Sequence, residues 1–119
     1  MNLPIRIIHM VSGEHVIAKI QHMTTDDKTT DCFNFIMPMS LIVLEPSTPE
    51  EKPKTKFYPY SPFSSDPEFK VGYDKVTTIG KPVPEVLDTY IDIVQQTYPV
   101  LDEETFNEYM KERLARNQK

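Results

Sequence analysis

The chain is expected to fold as a mainly β domain: a strongly bent, five-stranded antiparallel sheet forming an open barrel, followed by C-terminal helices. Three observations carry that expectation. Two runs rich in Ile and Val, residues 3–11 and 15–23, flank the short turn Ser12-Gly13. The longest apolar run, residues 32–44, is interrupted by Pro38. After Pro82-Val83-Pro84 the apolar spacing changes from alternate residues to the helical period.

At 119 residues the chain is long enough for one domain with one core. Eleven prolines against three glycines, most of them in the middle, point to a rigid, irregular segment between two ordered parts. The expected division is residues 1–83 as the β-barrel, with a Pro-rich loop at 45–56, and residues 84–119 as a helical extension packed on or beside it.

The first two strands read as a hairpin because Gly13 supplies the positive φ of a tight turn. A two-residue turn at Ser12-Gly13 sets Val11 opposite Glu14, His9 opposite Val16, Ile7 opposite Ala18 and Ile5 opposite Ile20. That register places Ile5, Ile7, Val11, Val16, Ala18 and Ile20 on one apolar face. Residues 24–30 are polar and read as a loop. A single long strand over 32–44, bent at Pro38, lets the sheet curl. Residues 56–63 are aromatic and extended and supply the fourth strand, 64–67 a turn, and 69–79 the fifth strand.

The spacing of residues 87, 90, 91, 94 and 98 predicts a helix over 85–98, ended by Pro99. Asp102 is placed to cap a second helix from 103 to about 116, with Phe106, Tyr109, Met110 and Leu114 along one stripe. Acids open that helix and Lys111, Arg113, Arg116 and Lys119 finish it, as the helix dipole favours.

The net charge of −5 is spread without any strongly basic region, which speaks against a broad electrostatic grip on nucleic acid. Only the middle segment is locally positive, through Lys52, Lys54, Lys56, Lys70, Lys75 and Lys81. The lone Cys32 cannot form an internal disulfide and suits a reducing compartment. No apolar run approaches a membrane span, and residues 1–4 lack the layout of a signal peptide, so a cytoplasmic location is expected.

The segment MVSGEHVIAKI at residues 10–20 resembles the first motif of Sm-like proteins: a strand, a turn holding glycine, then an alternating second strand. FNFIMPMSLIVL at 33–44, YPYSPF at 58–63 and VTTIG at 76–80 extend the likeness. Together they resemble the small Sm-like proteins of phages, over residues 3 to 98. The resemblance implies a bent five-stranded sheet and a closed homo-oligomeric ring, made by pairing the fourth strand of one subunit with the fifth of the next. It also implies single-stranded RNA bound at the ring pore. The family's first-motif asparagine is matched by Asn34 or, alternatively, by Ser40. The Arg-Gly pair of its second motif has no arginine to match it in the turn near residues 63–70.

On this resemblance the RNA contacts fall to Phe33, Asn34, Lys56, Tyr58 and Tyr60, since aromatic faces stack bases and lysines neutralise phosphates. The subunit interface falls to Phe57, Tyr58, Tyr60, Phe63, Val76 and Ile79. The alternative is a structural or assembly module that uses the same scaffold for protein contacts only, which the acidic charge and the missing arginine favour.

Other candidates read as structural. In the two-residue register His9 and His22 share the inner face while His15 lies outside, so the three do not converge as metal ligands require. Cys32 reads as a buried thiol. Asp26, Asp27 and Asp31 match no calcium loop and read as a solvated hairpin tip. Asp102, Glu103 and Glu104 are helix-start residues. With no Gly-rich phosphate loop, serine-nucleophile motif or paired-Cys spacing, neither enzymatic activity, nor a cofactor, nor a metal is expected.

Overall fold

The computed structural model describes residues 3–24, 31–45, 48–51 and 54–117. It shows a mainly β, antiparallel six-stranded sheet that does not close, with two C-terminal helices. β1 (Ile5–Met10) and β2 (His15–Thr24) form the first hairpin. Its loop has three residues, not two. Met10 and Glu14 close it, Gly13 donates to the Met10 carbonyl, and Gly13 sits at φ 91°. A three-residue loop ending in a positive-φ glycine is a standard hairpin connection. The register therefore moves by one: Ile7 faces Ile17, Ile8 faces Val16 and His9 faces His15.

That one-residue correction redistributes the side chains. Ile8, Met10, Val16, Ala18, Phe33, Phe35 and Val71 pack together on one side of the sheet. Ile5, Ile17 and Ile36 pack on the other, beneath the helices. The sheet is apolar on both faces, so a single inner face is not what the hairpin builds.

β3 (Asp31–Leu44) is the central strand. One edge pairs with β2 from Asp31 to Leu41; the other is shared by two strands. β4 (Lys54–Pro59) lies along the second half, and β5 (Glu68–Gly72) along the first. Between them β3 bends at Met37, a non-glycine residue at φ 49°, just before Pro38. The expected fourth strand over 56–63 thus ends at Pro59, because Pro62 and the Ser61–Ser64 turn take the chain off the sheet. The expected fifth strand over 69–79 is two strands. A 3₁₀ turn at Tyr73–Lys75 separates β5 from β6 (Val76–Gly80), which crosses to pair with β1. The turn leading into the last strand is therefore Tyr73–Lys75 rather than residues 63–70, and it too contains no arginine.

α1 (Pro84–Val94) opens with proline at its first turn, where a missing N–H costs nothing. It ends at Val94, short of the expected Tyr98. The side chain of Gln95 instead organises the connection, accepting from the Val100 and Leu101 amides and donating to the Leu101 carbonyl. α2 (Glu103–Asn117) is capped by Asp102, whose Oδ1 accepts from the Thr105 amide at 2.7 Å. Tyr90, Ile91, Val94, Val100, Leu101 and Tyr109 complete the cluster begun by Ile5, Ile17 and Ile36, so both helices share a core with the sheet.

Candidate functional site

The open sheet has two ends. β6 is the last strand at one end; β4 and β5 together form the other. Antiparallel pairing alternates inward and outward backbone groups. The Tyr60 amide donates to the Pro38 carbonyl, so alternate residues Thr55, Phe57 and Pro59 turn their backbone outward. Pro59 has no donor to offer there, which blunts that edge at its end. The Met37 amide donates to the Pro67 carbonyl, which turns Glu68, Lys70 and Gly72 outward on β5. On β6 the same alternation, counted from the Met10–Glu14 and Ile20–Pro4 bonds, turns Ile79 outward.

The residues expected to contact RNA do not form one site. Phe33 is buried, within 4.5 Å of the Tyr73 ring and 5.0 Å of the His22 ring, centroid to centroid. Asn34 is buried, and its Nδ2 donates to Glu68 Oε1 at 2.7 Å. Both sit on the first half of β3, beside β5. Lys56 and Tyr58 are exposed on β4, beside the second half, across the bend. Tyr60 is half-buried, edge-on to Phe35 and Phe69, and burial pushes its phenol up.

The expected interface residues also divide. Phe57 packs under the helices and Val76 against the opposite cluster, while Tyr58, Phe63 and Ile79 are exposed. His9 and His15, expected on opposite faces, are cross-strand partners with rings stacked at 4.3 Å; both are exposed. His22 is exposed rather than inward, its Nδ1 3.0 Å from the Tyr73 hydroxyl. Among the described residues no three His, Cys, Asp or Glu side chains gather as a metal set. Cys32 is buried. Asp31 is exposed, and Asp26 and Asp27 lie outside the described residues.

A groove of about 420 Å³ opens where the chain leaves β4 and returns as β5. Met37, Pro38, Met39, Phe69, Ile93 and Tyr98 give it an apolar lining. On its rim Ser64 Oγ accepts from the Asp66 amide at 3.1 Å, an ordinary local turn. One wall is fixed by Glu68, whose carboxylate accepts from Tyr98 at 2.6 Å and from Asn34 at 2.7 Å. The hydrogen bonds from Tyr98 and then Asn34 hold Glu68 below the usual carboxylate range. Sequence reading missed the groove because its walls come from residues 37–39, 59–69 and 93–98. The one available signal was Pro59, Pro62 and Pro67 within nine residues, too many for a continuous strand.

No described helix is long and apolar enough to cross a membrane. No protein-family model matches the chain, and no curated protein matches it.

Proposed function

We propose that the protein is a non-enzymatic, Sm-like scaffold that assembles with copies of itself, edge to edge, and acts through protein contacts. The observation that carries this reading is the pair of edges that no described strand covers on a sheet that does not close: β6 at one end, β4 with β5 at the other. Each edge carries outward backbone groups able to accept a strand, those of Thr55, Phe57, Glu68, Lys70 and Gly72 at one end and of Ile79 at the other. Exposed apolar side chains accompany both, Tyr58 on β4 and Ile79 on β6. Because the two edges differ, their contact is head-to-tail and closes into a ring when the rotation permits. The strand order β4-β3-β2-β1-β6, with the last strand returning to pair with β1, supports the Sm-like reading. Light scattering coupled to size exclusion tests the reading, as a mass that is a multiple of 13.8 kDa.

A second reading, single-stranded RNA binding, rests on Lys54, Lys56 and Tyr58, alternate residues on one exposed face of β4. Two cations followed on the same face by an open aromatic suit a stacked nucleotide. Titration of oligo-U and oligo-A at two salt concentrations decides it: a phosphate-driven contact is strongest at low salt, and no binding there removes RNA as a ligand.

A further inference from the structure

Phe63 is fully exposed, at the tip of the turn in which the Ser64 amide donates to the Ser61 carbonyl at 3.1 Å. An aromatic ring wholly in water leaves a large apolar area unburied, about 150–250 Å². Residues on both sides of it, Tyr60, Ser61 and Ser64, line the groove, while Phe63 itself does not. Knob and hole therefore adjoin one another, and Phe63 takes no part in lining its own groove.

We propose that two copies join about a twofold axis, each seating Phe63 in the groove of the other. A knob beside its hole is self-complementary under a twofold rotation, so one contact engages both grooves at once. The lining suits a phenyl ring: Met37 and Met39 supply thioethers, which favour aromatic edges, and Phe69 and Ile93 supply further apolar surface. Two rings and two groove walls bury roughly 600–1,000 Å² in all, less than the ~1,200–2,000 Å² of a stable interface. The pair is accordingly weak and forms as concentration rises. This contact uses the groove beside α1, not the outward backbone of β6, and does not rest on edge pairing.

The test is sedimentation equilibrium of the full chain from about 1 μM to about 1 mM. It is run on wild type and on Ile79→Lys, which sets a charge on the β6 edge and so removes edge pairing from the measurement. The Ile79→Lys protein is expected to pass from 13.8 kDa to twice that mass with concentration. Adding Phe63→Ser weakens this association at least about tenfold, as loss of an aromatic anchor does. Because Phe63 touches solvent only, the melting temperature stays unchanged. Adding Thr97→Trp, which fills the groove and keeps Phe63, has the same effect on mass. A doubling that survives Phe63→Ser, or no doubling in either parent protein, overturns the proposal; a doubling that survives Thr97→Trp overturns the groove as the seat. Failure of edge pairing is read separately, as wild type and Ile79→Lys giving identical masses.

Discussion

The hydroxyl of Tyr90 reaches from the middle of α1 to the bend of β3, within 2.9 Å of the Met37 carbonyl and 3.1 Å of the Ile36 carbonyl. The side chain is completely buried, and that burial pushes its phenol well above the ordinary tyrosine range. Met37 needs such support: a left-handed backbone at a residue with a Cβ costs about 1–2 kcal/mol. Tyr90→Phe keeps the ring and leaves buried carbonyls short of a donor, so it is expected to destabilise the fold by about 1–3 kcal/mol in urea unfolding. A change below about 0.5 kcal/mol, within the range of an ordinary surface substitution, shows that the bend stands without it. Gly13 is the opposite case. Nothing lies within 4 Å of a Cβ built there, yet its φ is 91°, so Gly13→Ala costs about 1 kcal/mol from the dihedral alone. An unchanged urea midpoint contradicts that origin. The helical period already places Tyr90, Ile91 and Val94 on one stripe, and all three are buried. The partner of Tyr90, 53 and 54 residues away, leaves no mark in local spacing.

Among elements, the instructive miss is the first hairpin. Both faces of β1 and β2 are apolar, one against Phe33 and Phe35, the other beneath α1. Alternation fixes register only when one face must avoid the core; here two registers one residue apart both look satisfactory. The turn decides, and Val11-Ser12-Gly13 reads equally as a two- or three-residue loop until Gly13's φ is known. The break at Tyr73 was hidden for another reason: residues 69–79 keep strand composition on both sides of it. The helices were more legible, since proline starts α1 and Asp102 caps α2. Their mutual docking is electrostatic at its rim. Arg113 grips Asp92 at 2.8 and 2.9 Å, and Asp88 accepts from Tyr109 and Arg116. The hydrogen bond from Arg113 lowers Asp92, and those from Thr105 lower Asp102. A carboxyl lowered in the folded state stabilises the fold above its unfolded value, and that contribution is lost as pH falls through the folded value. Stability is therefore expected to decline below about pH 4. The contribution of Asp92 is modest, because its carboxylate is exposed. Thermal melts from neutral to acid pH check this: Asp92→Asn melts lower at neutral pH and converges on wild type in acid. A constant difference at every pH contradicts the linkage.

At the scale of the molecule, the sheet is open and its ends are unlike. A sheet that buried both edges within one chain has no reason to assemble; this one leaves the outward backbone of Ile79 at one end and of Thr55, Phe57, Lys70 and Gly72 at the other. The mainly β, antiparallel architecture with two C-terminal helices was legible from strand patterning and from the change to the helical period after Pro84. The candidate RNA contacts were less so, because adjacency in a resemblance is not adjacency across a bend: Asn34 spends its amide on Glu68, while Lys56 stands beyond Pro38. The measurement that bears most directly on the assembly is the solution mass of wild type beside Ile79→Pro. Proline at that position removes an outward N–H without breaking a bond to β1, and edge strands tolerate it; circular dichroism verifies the fold, with Ile79→Lys as the substitute if proline does not fold. Edge-to-edge assembly predicts a wild-type mass several times 13.8 kDa and a variant reduced to one or two chains. A wild-type mass of 13.8 kDa at every concentration, or a mass indifferent to the substitution, contradicts it.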